Sequence, residues 1–144
     1  MIAPFIMLVD DEVPFVETMA KRLATRNIET IMAFSAEDGL EKLKENQNID
    51  VIVLDVKMPG MNGLEMLKKI KTGFFRTEVI MLTGHATIEI GIDGMKLGAY
   101  DFLTKPCDIE ELVSKVEEAT KKKRAHDEKI QEAEQKNLLK KLEP

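Results

Sequence analysis

Polar and charged groups stand directly after four apolar runs of this sequence. Phe5-Ile6-Met7-Leu8-Val9 is followed by Asp10-Asp11-Glu12, and Val51-Ile52-Val53-Leu54 by Asp55. Val79 to Leu82 ends on Thr83, and Tyr100 to Leu103 on Thr104-Lys105-Pro106. Three carboxylates, a hydroxyl and an ammonium brought to one place suit phosphoryl transfer, in which the protein mostly positions groups and neutralises charge. Asp10, Asp11 and Asp55 together would repel one another without a cation. Hard oxygen donors in small number suit Mg²⁺, which keeps several of its waters. Asp55 would be the nucleophile and become an aspartyl phosphate. No Gly-rich loop ending in Lys-Ser or Lys-Thr is present, so ATP is not the expected donor. Each group also has a plainer reading: Asp10 and Asp55 as helix caps, Thr83 and Lys105 as loop residues.

The chemistry requires elements that carry these residues to one edge. Short apolar runs rich in β-branched residues suit strands buried on both faces of a parallel sheet. Between them, Phe15, Val16, Met19, Ala20 and Leu23 recur at helical spacing, with Asn27 as a stop. Ile28 to Phe34 reads as a second strand. Ser35 with Glu37 and Asp38 reads as an N-cap and acidic first turn, and Leu40 and Leu43 as the inner face of that helix. A third helix starts near Asn62, turns Leu64, Leu67 and Ile70 inward and breaks at Gly73. Ile88, Ile92 and Met95 form the stripe of a fourth helix. Gly91 and Gly94 weaken it, each by about 1 kcal/mol relative to Ala. Asp108 caps a last helix whose inner face is Ile109, Leu112, Val113 and Val116. The fold class is therefore α/β: a three-layer, doubly wound, five-stranded parallel sheet with an extended C-terminal helix. In the strand order 2-1-3-4-5, strands one and three are neighbours, and Asp10, Asp11 and Asp55 meet at the switch point.

Composition bounds the possibilities. The chain has 144 residues, 44% hydrophobic and 33% charged, which suits one soluble domain with a proper core. A net charge of -5 gives no basic field for nucleic acid, so DNA binding by this chain alone is not expected. The single Cys107 excludes an internal disulfide and a cysteine-rich zinc site. Neither a signal peptide nor an 18-residue apolar run is found, so the expected location is cytoplasmic, with no membrane span.

Asp10-Asp11, Asp55-x-x-Met58-Pro59-x-Met61-x-Gly63, Thr83-Gly84 and Gly98-Ala99-x-x-Phe102-Leu103-x-Lys105-Pro106 occur in this order. Together they closely resemble the receiver domain of two-component response regulators, the CheY-like relatives of the flavodoxin-like fold, over residues 5 to about 120. The resemblance implies that Asp55 accepts a phosphoryl group from a sensor histidine kinase or a histidine phosphotransfer protein. It implies Mg²⁺ held directly by Asp11 and Asp55, with Asp10 assisting through water and the main-chain carbonyl of Lys57 as a third protein ligand. Lys105 would pair with phosphoryl oxygens, and Thr83 would donate its hydroxyl to one of them. Phe102 lies at the switch aromatic, although a fixed core aromatic remains open. Lys105-Pro106 resembles the family's cis bond. Lys57 and His85 flank the expected route of attacking water and would tune the lifetime of the phosphoryl group; both also suit solvated loop positions. The chain would catalyse only its own phosphorylation and hydrolysis and is not otherwise an enzyme. A haloacid-dehalogenase-like phosphatase would need an acid where Lys57 stands.

Residues 1–120 are assigned to the receiver and 121–144 to a charged helical extension or linker. The extension holds 13 charged side chains in 24 residues, beginning with Lys121-Lys122-Lys123-Arg124. Pairs Glu117/Lys121, Glu118/Lys122 and Glu132/Lys136 favour helix at i,i+4, and the basic run reads as a solvated face. Whether the extension is a solvated helix or a partner contact stays open, as does whether an output domain follows. A homodimer through the fourth helix, fifth strand and C-terminal helix is one expected output. The alternative is a docking or dimerisation module that works through that helix without phosphate.

Overall fold

The computed structural model describes residues 3–84 and 87–143. Five strands alternate with five helices: β1 Phe5–Val9, α1 Val13–Ala24, β2 Glu29–Ala33, α2 Ala36–Glu45, β3 Val51–Leu54, α3 Gly63–Gly73, β4 Glu78–Thr83, α4 Ile88–Lys96, β5 Asp101–Thr104 and α5 Ile109–Leu142. All pairings are parallel and the order is β2-β1-β3-β4-β5, as the alternation requires.

Alternation along each strand divides the core in two. Ile6, Leu8, Val51, Val53, Ile80 and Leu82 face α1 and α5, where they meet Val16, Leu23, Leu112 and Val116. Met7, Val9, Ile52, Leu54, Val79 and Met81 face the other way and meet Leu43, Met66, Leu67 and Ile70 of α2 and α3. Helix boundaries follow local chemistry. Ser35 accepts from the Asp38 N–H, Asn62 from the Glu65 N–H and Asp108 from the Glu110 N–H. Asn27 closes the turn after α1 at φ 65°, a left-handed conformation that Asn tolerates.

Helix α4 forms over the stripe read from the sequence. Its apolar stripe points to solvent: Ile88, Ile92 and Met95 are 85%, 49% and 48% exposed. The inward face is the glycine face. A Cβ at Gly94 would stand 2.3 Å from Met81 Sδ, and one at Gly91 would stand 3.9 Å from the Phe102 ring. The close approach of α4 to the sheet selects which face turns in, and the larger side chains are displaced outward.

Helix α5 runs unbroken for 34 residues, about 51 Å at 1.5 Å per residue. Its basic run is not simply a solvated face. Lys123 is buried and pairs with Asp127 at 2.7 Å, and Arg124 reaches Asp50. Lys122 turns to Glu78 at 3.2 Å, while Glu118 is engaged by Lys115 and the Tyr100 hydroxyl. Arg76 pairs with Asp127, and the rings of Phe75 and His126 meet edge-on at 5.8 Å. Contact with the domain therefore extends along α5 to Asp127.

Candidate functional site

The site forms where four strands end. Val9 of β1 is in register with Leu54 of β3, so the residues that follow them, Asp10 and Asp55, leave the sheet side by side. Asp55 N–H donates to Val9 O at 2.9 Å, and Asp10 N–H to Ala33 O at 3.1 Å, which fixes both backbones to the last rungs of the sheet. Asp10 and Asp55 are nearly buried and Asp11 is exposed. One carboxylate oxygen from each of these three residues lies within 4.8 Å of the others. At the other half of the edge, Thr83 is in register with Thr104, and Lys105 N–H donates to Thr83 O at 2.9 Å. The Lys105-Pro106 bond is cis.

The ammonium of Lys105 enters the acid cluster. Its Nζ lies 2.5 Å from Asp10 Oδ2, 3.1 Å from Glu12 Oε1 and 3.9 Å from Asp55 Oδ2. Burial pushes the Asp10 carboxyl above its ordinary range, against the opposing hydrogen bond from Lys105. Burial also works against the Lys105 charge, but its hydrogen bonds to Asp10 and Glu12 prevail and raise its pKa. The two directions oppose each other, one favouring a neutral acid and the other a charged base.

The remaining lone pairs are partly committed. Asp55 Oδ1 accepts from the Val56 N–H at 2.8 Å, and Asp10 Oδ1 from the Glu12 N–H at 2.9 Å. An anionic oxygen-rich cluster, offset among the described residues by the Lys105 ammonium, fits a hard divalent cation. The Lys57 side chain is exposed on the loop after Asp55, and its neighbour Met58 is buried and anchors that loop. Thr83 is fully buried. By strand alternation it shares the α4-facing side of the sheet with Met81 and with Phe102, which is half-buried there. His85 lies outside the described residues.

Several residues make contacts at the site that their spacing in the sequence does not give. Glu12 was visible as a third acid after β1, but its reach to Lys105 was not. Phe15 belongs to the helical stripe of α1, and its ring lies beside the Lys105 ammonium. Gly63 begins α3 as expected, yet its main constraint is space. A Cβ there would stand 2.2 Å from the Asp55 carbonyl oxygen and 2.7 Å from Val56 Cα. Only glycine lets α3 start so close to the backbone of Asp55. Glu37 of α2 accepts from the Met61 N–H at 3.0 Å and so tethers the loop after Asp55, and this N–H holds its carboxyl below the ordinary range. Gly60, at φ 77°, supplies the turn beside it.

Comparison with known proteins agrees with this geometry. Residues 6–117 match the model of the response regulator receiver domain. The chain is 33% identical over 107 residues to the regulatory protein AtoC of Escherichia coli (strain K12), covering 74% of this chain and 23% of AtoC. It is 31% identical over 111 residues to the transcriptional regulatory protein DltR of Streptococcus agalactiae, covering 77% of this chain and 49% of DltR. The chain thus spans half or less of the length of these relatives. Among solved structures, a receiver domain from Clostridium thermocellum superposes with TM-score 0.81 at 33% identity, covering 85% of this chain and 98% of that one. A CheY-like receiver domain from Methanospirillum hungatei JF-1 gives TM-score 0.80 at 27% identity, covering 87% and 99%. The sheet order, the acids at the ends of β1 and β3 and the match over residues 6–117 agree: this chain belongs to the response regulator receiver domain family.

Proposed function

We propose that Asp55 is the phosphoacceptor and that the surrounding residues both activate it and read its state. The observation that carries this reading is the convergence of Asp10, Asp11, Asp55 and Lys105 at one edge of the sheet. A carboxylate oxygen of Asp55 attacks phosphorus of a phosphohistidine on a sensor kinase or a histidine phosphotransfer protein. The P–N bond breaks, its electron pair stays on the imidazole, and an O–P bond forms on Asp55. Lys105 moves from Asp10 toward the new phosphoryl oxygens. Water later attacks the same phosphorus, the O–P bond to Asp55 breaks, inorganic phosphate leaves carrying the water's oxygen, and Asp55 returns to the carboxylate, with Lys57 and His85 tuning the rate. The chain's chemistry is confined to its own Asp55.

Asp11, Asp55 and the Lys57 main-chain carbonyl would hold Mg²⁺, with Asp10 assisting through water. Bound there, the ion offsets the charge of the acids and of the incoming phosphoryl group.

The added charge and acceptor oxygens draw the Thr83 hydroxyl. Thr83 and Phe102 share one face of the sheet, so movement of Thr83 changes the space open to the Phe102 ring. That ring packs near Gly91, and its turn alters the surface of α4, β5 and α5. The exposed Ile88, Ile92 and Met95 suit that surface to a second copy of the chain. No described helix is long and apolar enough to cross a membrane, and a cytoplasmic location fits a histidine kinase as donor.

The test is incubation with phosphoramidate and Mg²⁺, followed by intact mass measurement. The wild-type chain gains one phosphoryl group and Asp55→Asn gains none. Equal labelling of both overturns the assignment.

A further inference from the structure

The Lys105 ammonium is drawn to the Asp10 side of the site, away from Asp55. Asp10 and Glu12 hold it at 2.5 and 3.1 Å, and Asp55 stands at 3.9 Å. Another flank of the same ammonium is covered by an aromatic ring: Nζ is 4.3 Å from the centroid of Phe15, in the first turn of α1. The Lys105 side chain is only 14% exposed, so water screens this contact little. A ring face at such a distance attracts a cation, and the attraction grows as the pair loses water.

We propose that Phe15 is a positioning residue that seats the Lys105 ammonium on Asp10, where it competes with the divalent cation for that carboxylate. The inference rests on the Mg²⁺ role proposed for the acid cluster. Lys105 occupies Asp10 Oδ2 and the Glu12 N–H occupies Oδ1, so whatever stabilises the ammonium there leaves Asp10 less able to hold the ion's waters and raises the Mg²⁺ concentration needed to fill the site. Phe15 also packs against the core beside α1. Packing alone predicts that its loss loosens the site and weakens Mg²⁺ binding. The seat predicts the opposite sign.

The experiment is Mg²⁺ titration of the full chain by isothermal calorimetry. Wild type, Phe15→Leu and Phe15→Tyr are compared, each with and without Lys105→Met. Removing the ring in Phe15→Leu tightens Mg²⁺ binding about threefold, the low end of what a cation–ring contact supplies. Phe15→Tyr keeps the ring and binds as wild type does. In the Lys105→Met background Phe15→Leu changes nothing, because no ammonium is left to seat. Unchanged or weaker binding in Phe15→Leu overturns the inference, as does an equal gain in the Lys105→Met background. Should Phe15→Leu fail to fold, Phe15→Met carries the same expectation. If wild type binds Mg²⁺ and Asp55→Asn does not, but Phe15 has no effect, the inference alone falls. If wild type binds no Mg²⁺, the metal role falls with it.

Discussion

Arg124 grips Asp50 through two nitrogens, Nε to Oδ1 at 3.1 Å and Nη2 to Oδ2 at 2.9 Å, across 74 residues of sequence. Asp50 lies at the amino end of β3 and is 1% exposed. The same carboxylate accepts from the Phe5 N–H at the start of β1 and lies 3.7 Å from Lys123 Nζ, and Arg124 also donates to Ala3 O. One buried acid thus ties α5 to the edge of the sheet opposite Asp55. Asp50→Ala leaves the Phe5 N–H without its acceptor and removes the buried carboxylate that Arg124 and Lys123 share, at a cost of about 3 kcal/mol. Arg124→Ala leaves Asp50 its other donors and removes a side chain that is 43% exposed, at a cost of about 1 kcal/mol. Urea unfolding measures both, and equal losses would contradict this role for Asp50.

The two glycines of α4 should respond in opposite directions. At Gly91 an added methyl meets the Phe102 ring at ordinary contact distance, so Gly91→Ala stabilises by about 0.5–1 kcal/mol through helix propensity. At Gly94 the methyl would stand 2.3 Å from Met81 Sδ, in the middle of a fully buried side chain. Gly94→Ala therefore destabilises by about 1–3 kcal/mol despite the same gain in propensity. Thermal unfolding of the two variants gives the signs.

Burial pushes the Cys107 thiol above its ordinary pKa, and the charges of Glu111 and Asp108 push in the same direction. Alkylation requires the thiolate. At neutral pH Cys107 should react with iodoacetamide more slowly than cysteine in an unstructured peptide. Its rate should rise at higher pH than the peptide's, and unfolding in urea should bring the two profiles together. Coincident profiles in the folded state would show the thiol to be unshifted.

Outward placement of Ile88, Ile92 and Met95 on α4 leads to a prediction about assembly. With Mg²⁺ and beryllofluoride as a phosphoryl mimic, light scattering should report a mass doubled over that without the mimic. Ile92→Glu should keep the chain monomeric in both conditions. A doubled mass in both conditions would favour a phosphate-independent module, and a single mass in both would remove the dimer.

The strands and the acids at their ends were legible because a buried parallel strand is a short apolar run, and the polar residue after it marks the ligand edge. Asp10, Asp11, Asp55 and Lys105 do converge as their positions required. Which face of α4 packs was not legible, for a physical reason. Periodicity counts apolar side chains, but the face that packs here is chosen by the absence of side chains at Gly91 and Gly94. The anchoring of α5 was equally hidden. Asp50 reads as a loop acid, and Lys123 and Arg124 as part of a charged run, until the fold brings them together. The contacts of Glu12, Phe15 and Glu37 were not legible because they join separate elements, which local spacing does not encode.

The identity of the carboxylate that carries the phosphoryl group can be read directly. Borohydride reduces an acyl phosphate to the corresponding alcohol, so phosphorylated aspartate becomes homoserine and can be located by peptide mass spectrometry. After treatment with phosphoramidate and Mg²⁺, homoserine should appear at position 55 and nowhere else, and its yield should collapse when Mg²⁺ is chelated. Homoserine at position 10 or 11 with Asp55 intact, or its absence from every position, would contradict Asp55 as the phosphoacceptor.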